Sequence, residues 1–260
     1  MSEKAELVGG HATLEIPKGS MFLYLQPELL TKEDHGSLGF VSPPNPFEFA
    51  KKIMTVPLVA TEIASAQKHY PVIFSEPDDA APFAVVSVIK EENMFVDAGG
   101  NWEPMHYIPS YLRRHPFAFA AGGEDQLAVV IDRSSNAISD NPENPFFEGD
   151  GLSKYTQSMV DYCGQYEAER RRTKEFAAKL KELDLLALQE VIPTAEENNE
   201  RLATYYAVDV EKLNKLEPDV LIDLHKKGYL SFIFAHLFSL ENWKRLLERR
   251  HIMMQSQQSE

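Results

Sequence analysis

The stretch "GLSKYTQSMVDYCGQYEAERRRTKEFAAKLKELDLL" (residues 151–186) is where the chain changes period. Leu152, Tyr155, Met159, Tyr162, Tyr166, Glu169, Thr173, Phe176, Leu180 and Leu183 follow one another in alternating steps of three and four. That spacing lines them up along one stripe of a long helix. Glu169 and Thr173 interrupt the stripe midway. The helix is therefore expected to dock along its two ends and to be wetter at its centre, beside Arg170, Arg171 and Arg172.

Upstream the signals are of β type. "TVPLVA" (55–60), "YPVIFS" (70–75), "FAVVSVIK" (83–90), "NMFVDA" (93–98), "FAFAA" (117–121) and "LAVVID" (127–132) are short runs rich in Val, Ile and Phe. Each is bounded by Pro, Gly, Asp or Asn, which reads as strands between turns. "TEIASAQKHY" (61–70) reads as a helical turn. "DAGGNW" (97–102) and "AAGGEDQL" (120–127) read as tight hairpins, whose glycines can supply positive φ. Two hairpins so close together predict a mostly antiparallel, curled sheet. Before it, "GSMFLYLQPELL" (19–30) fits a strand or a short helix, and "DHGSLGFVSPPNPFEFA" (34–50) is broken by Gly and Pro.

The polar segment 132–153 suits a boundary or a connecting loop. Beyond the long helix, "VIPTAEENNERLATYYAVD" (191–209) reads as extended. Asp209 is a helix N-cap candidate, Pro218 fits a first turn and Gly228 a stop. "YLSFIFAHLF" reads as a buried helix, Ser239 as the cap of a last one, and "MMQSQQSE" as a frayed end. The expected fold is α+β: an arm over 1–50, a β-rich domain over 51–145, a helical domain over 146–253 and a disordered tail over 254–260.

Forty acidic against 26 basic side chains leave a formal charge of −14. Nucleic-acid binding needs a concentrated basic face, and only short basic clusters exist, so nucleic acid is not expected as a partner. Residues 229–240 form the longest strongly apolar run, too short to span a bilayer. The N-terminus has no basic start followed by an apolar run, so a cytoplasmic location is expected. Cys163 stands alone and cannot form an internal disulfide, and no Cys/His spacing resembles a zinc site. The oxygen-rich stretch 140–151 is broken by Pro142 and Pro145 where a calcium loop would alternate its ligands. No cofactor can be identified from the sequence, and no nucleophile elbow or phosphate cradle is present.

"YPVIF" (70–74) and "ENMFVDAGGNWEPMHYIPSYLRRHPFAFA" (92–120), followed by "LAVVID", "YEAERRRTKEFAAKLKELDLL" (166–186), "YYAVDVEKLNKL" (205–216) and "DLHKKGYLSFIFAHLFSL" (223–240), resemble the SapC family. The resemblance runs from about residue 56 to residue 240. It implies a bacterial protein whose relatives take their name from surface layers and are sometimes labelled as transporter parts. It further implies a gene neighbourhood of outer-membrane receptors for nutrient uptake and flavin-dependent halogenase-like proteins. It brings no catalytic residues to this chain.

One stretch concentrates the candidate residues. Around "IPSYLRRHPF" (108–117), Trp102, Tyr107, Tyr111, Arg113, Arg114 and His115 combine stacking surfaces with guanidinium forks, which suit carboxylates or phosphates. One reading is a pocket for an anionic or aromatic ligand, or for a partner protein. The other is that Trp102 and Tyr107 plug the end of a sheet while the arginines pair with some of the many acids, across the domain boundary. His236, in its apolar run, reads as a hydrogen-bonded core histidine. The function that follows is a non-catalytic accessory protein binding a partner protein or a small molecule in surface or nutrient-uptake functions. The alternatives are an enzyme or cofactor-dependent modifier with its site near residues 102–115, and a surface-layer component, which would require export.

Overall fold

A computed structural model describes residues 21–121, 127–191 and 202–257. The strands of the first half are β1 (Pro27–Leu29), β2 (Gly39–Phe40), β3 (Thr55–Pro57), β4 (Val72–Phe74), β5 (Pro82–Val85), β6 (Phe117–Ala121) and β7 (Leu127–Asp132). Four two-residue strands follow: β8 (Ile138–Ser139), β9 (Asn144–Pro145), β10 (Phe147–Glu148) and β11 (Gly151–Leu152). The last two are β12 (Leu186–Val191) and β13 (Ala203–Val208). Three one-turn helices, α1 (Lys32–His35), α2 (Ile63–Ala66) and α3 (Ser110–Arg113), precede the long α4 (Lys154–Glu182). Then come α5 (Val210–Asn214), α6 (Pro218–Lys226), α7 (Tyr229–Ser239) and α8 (Asn242–Gln257).

The fold is α+β, and its strand pairs are antiparallel. The largest sheet has the order β12-β13-β4-β5-β3, so strands from both sides of residue 145 share it. One hydrophobic core likewise takes side chains from both sides, from Val56 and Phe74 to Phe176 and Ile233. A second sheet, β1-β7-β6, ties the N-terminal segment to the body, with Pro27 opposite Asp132. A third, β8-β2-β9, pairs β2 of the N-terminal segment with two short strands of the segment expected to be a connecting loop. That segment is held down by Phe146, which is fully buried against Phe117 and Cys163 in a smaller core.

Several local readings meet their structure. The β6–β7 hairpin pairs Ala121 with Leu127, and its turn, residues 122–126, lies outside the described residues. At 97–102 a tight turn is closed by one bridge, Val96 to Trp102, with Gly100 at φ +75°. Asp209 caps α5 through the amides of Glu211 and Lys212, Pro218 opens α6, and Gly228 at φ +75° separates α6 from α7.

Other readings are corrected. The centre of α4 is buried: the Thr173 hydroxyl accepts the Ala60 amide at 2.8 Å and donates to the Glu169 carbonyl at 2.7 Å. The Thr173 side chain, which broke the apolar stripe, thus satisfies a buried amide, and the helix docks along its middle as well as its ends. Ser239 does not cap α8 but ends α7, accepting the Val72 amide at 2.8 Å. The last helix continues through residues 254–257, part of the expected tail, because Met253 packs against the core and Arg249 Nε donates to the Met94 carbonyl.

His236 is a core histidine in an unusual place. Tyr206 opposite Phe74 is the register pair joining β13 to β4, and one step further the imidazole separates Val208 from Val72. Nε2 accepts the Val208 amide at 3.1 Å, so Nδ1 carries the proton donated to the Val72 carbonyl at 2.8 Å. A helix side chain thereby completes a sheet ladder. Burial pushes its pKa down to about 4 against the opposing Val72 hydrogen bond, and the ring stays neutral.

Candidate functional site

The candidate stretch is built around α3, whose single turn follows Pro109 and ends just before the cis His115–Pro116 bond. A turn this short sends adjacent residues in different directions. Arg114 points into the protein and Arg113 points out, with side chains 2% and 43% exposed.

Arg114 lies against three tyrosine rings. Its guanidinium carbon is 4.4 Å from the Tyr166 ring centre, 4.5 Å from Tyr111 and 5.7 Å from Tyr24. Nη1 reaches Glu167 Oε1 at 3.4 Å, and Arg170 Nε donates to the other Glu167 oxygen at 2.6 Å. A charge taken from water persists only when paired and enclosed by groups that favour it, and the ring faces and the carboxylate provide both. The Tyr111 hydroxyl donates to the Phe22 carbonyl, and burial raises its pKa to about 12.

His115 is enclosed as well. Its ring stacks on Phe49 at 3.9 Å and its Nε2 is 3.2 Å from Asp132 Oδ2. Asp132 also accepts the amides of Leu25, Gln26 and Ser134 and the Ser134 hydroxyl. Burial opposes its charge, but these bonds outweigh burial and hold the carboxyl well below the usual range. Trp102 is buried between Phe47 and Phe95. Its Nε1 donates to the Tyr70 hydroxyl at 3.1 Å, which in turn donates to the Tyr107 carbonyl at 2.7 Å.

Tyr107 and Arg113 form the outer rim. Glu62 Oε1 accepts the Tyr107 hydroxyl and the Ser110 amide, each at 2.6 Å, while Oε2 accepts the Val59 amide at 3.1 Å. Burial, then the Glu62 charge, raises the Tyr107 pKa far above its ordinary value. Arg113 Nη2 donates to Ser110 Oγ at 2.9 Å and to the Tyr107 hydroxyl at 3.2 Å, and stands 4.0 Å from Glu62. Its guanidinium carbon lies 5.5 Å from the Tyr107 ring centre and 5.6 Å from that of Tyr162 on α4.

All six sequence candidates thus gather around one structural unit, but only Tyr107 and Arg113 reach its outer rim. Glu62, Asp132, Tyr162 and Glu167 complete the unit and escaped the sequence reading. The acids were hidden among 40 acidic residues, and Tyr162 stood only as one member of a helical stripe. Arg114 and Glu167 do pair across residue 145, as one of the two readings expected. Cys163 is buried beneath the same unit, and burial raises its thiol pKa to about 11, an unreactive setting. Among the described residues no three His, Cys, Asp or Glu side chains cluster as a metal site, and no helix is long and apolar enough to cross a membrane.

No curated protein and no solved structure matches the chain. The SapC family model matches residues 30–246 of the 260. That span covers all six candidate residues together with Glu62, Asp132, Tyr162 and Glu167, and the chain belongs to the SapC family.

Proposed function

We propose that this SapC-family protein is a non-catalytic accessory protein. It acts in the cytoplasm and binds a partner protein or a small molecule in support of bacterial surface or nutrient-uptake functions. The contact face is the rim formed by Arg113 and Tyr107, with the buried remainder of the stretch holding that rim in place. One observation carries this reading: a half-exposed guanidinium is fixed between two tyrosine rings by hydrogen bonds from a single nitrogen. Fixing a long side chain in advance removes the entropy cost it would otherwise incur on binding. The groups that would serve acid–base or nucleophilic chemistry in the stretch already have internal roles. His115 faces Asp132, Glu62 accepts three donors, and Cys163 is buried.

The test is affinity capture of the tagged protein from its host, with bound proteins and small molecules both identified. Arg113→Ala is the contact variant. Trp102→Ala would open a core cavity and confuse binding with folding. Loss of a specific companion with Arg113→Ala, in protein that stays folded, is the expected result. A companion retained equally by the variant removes the rim from the contact. Fractionation of the same cells checks the location.

A further inference from the structure

The turn 103–106 holds a methionine where glycine is the ordinary choice. The His106 amide donates to the Glu103 carbonyl at 3.3 Å, Pro104 takes the second position, and Met105 takes the third at φ +66°. That left-handed conformation disfavours a side chain, and a turn of this kind normally places Gly or Asn there. The strain serves no packing. Met105 is 93% exposed, more than any other large apolar side chain among the described residues. An outlier that costs stability and buries nothing points to a use outside the fold.

The second observation is the charge beside it. The His106 ring centre lies 5.2 Å from that of His69, on the turn after α2. α8 packs on the same turn, where Asn242 Nδ2 donates to the Gln67 and Tyr70 carbonyls. Its next turns bring Arg245 and Arg249 along the same face. Glu103 pairs with Arg249 at 2.6 Å and stands 3.8 Å from His106. Lys68 and Arg245 are exposed and make no ion pair among the described residues. Burial first, then the charges of His106, Lys68 and Arg245, lower the His69 pKa. In a chain of formal charge −14, this is a local positive field next to an exposed apolar side chain.

We infer that Met105, His69, His106, Lys68 and Arg245 form a docking surface for an acidic segment of a partner protein that also carries an apolar side chain. The surface uses neither Arg113 nor Tyr107 and does not rest on the contact face proposed above. Charge complementarity selects the occupant. A short acidic segment is attracted within about 10 Å of these cations, whereas an anionic bilayer or a nucleic acid also meets the acidic remainder of the chain. Protonation of the two histidines adds positive charge, so docking strengthens as pH falls through the histidine range.

The experiment is fluorescence anisotropy of a short labelled peptide of alternating glutamate and leucine, titrated with the full-length protein. Peptides with lysine for glutamate, or serine for leucine, are the controls. Saturable binding of the first peptide alone is expected, tighter at about pH 6 than at about pH 7.5, and the double variant His69→Gln, His106→Gln loses that pH response. Lys68→Glu combined with Arg245→Glu weakens binding about tenfold or more. Met105→Gly weakens it about tenfold, the scale of one buried methionine, while its urea midpoint equals or exceeds wild type because the turn is relieved. A lowered midpoint makes Met105 structural and overturns the surface. Absent binding, binding that ignores these variants, and equal binding of the lysine peptide overturn it as well. Retention on phosphatidylglycerol vesicles without peptide binding assigns the surface to lipid. Self-association abolished by the charge reversal assigns it to a second copy. Either result overturns a partner segment as the occupant.

Discussion

Arg113 and Arg114 are neighbours in the chain and opposites in the fold. One lies on the rim with its side chain 43% exposed, and the other is enclosed by three tyrosines and Glu167 with 2% exposed. The same residue type is therefore exposed at one position and built into the core at the next.

Arg114 should be indispensable to stability. Arg114→Ala strands the buried Glu167 carboxylate and should cost about 3–5 kcal/mol, the range for breaking a buried pair. Arg170 still reaches Glu167, which places the expectation at the lower end of that range. Urea unfolding measures it. A midpoint equal to wild type would show that the tyrosine cage does not depend on its cation.

His236 predicts a stability change at mildly acid pH. Its folded pKa of about 4 lies below the ordinary histidine value, so the unfolded chain takes up the proton first. Stability is therefore full above about pH 6.5 and falls as pH drops towards about 4, a loss of about 3 kcal/mol once both states are protonated. Denaturant midpoints measured across that window, with His236→Gln for comparison, test the assignment. The variant should be less stable at neutral pH and should lack this slope. A wild-type curve that is flat over the window contradicts a neutral imidazole between Val208 and Val72.

Asp132 acts in a separate, lower window. Its depressed pKa means that its contribution is present above the usual carboxylate range and is lost as pH falls through it, below about pH 4. Asp132→Asn should cost about 1–3 kcal/mol at neutral pH by weakening bonds to a charged acceptor. Hydrogen exchange locates the effect. The Leu25 and Gln26 amides, which donate to Asp132, should lose protection while those of β13 keep theirs.

Cys163 should be inert in the native protein. With its thiol buried and its pKa raised to about 11, alkylation by iodoacetamide at neutral pH should proceed only as fast as unfolding exposes it. Rapid labelling without unfolding would refute the burial.

Local rules in the sequence located much of the fold. Asp209, Pro218, Gly100 and Gly228 took the places their capping chemistry and φ preferences dictate, and the three–four spacing gave α4 its length. Ser239 misled because a serine ahead of a helical pattern looks like a cap, whereas the Val72 amide, 167 residues away in the chain, takes its hydroxyl. The same distance effect hid the meeting of β13 with β4, since no local pattern in either strand names its partner. Within the site, the residue types were legible but their directions were not. Which arginine of an Arg–Arg pair turns inward depends on where Glu167 and Tyr166 stand, and they lie on a helix some fifty residues further on.

The most direct measurement sets Arg113→Ala beside Arg114→Ala, recording the unfolding free energy and companion capture on the same preparations. Arg113→Ala should stay within about 1 kcal/mol of wild type, as expected for an exposed charge, and lose its companion. Arg114→Ala should lose stability by the larger amount given above. Equal destabilisation by both, or a companion kept by Arg113→Ala, would contradict the division of this arginine pair into a contact and a core residue.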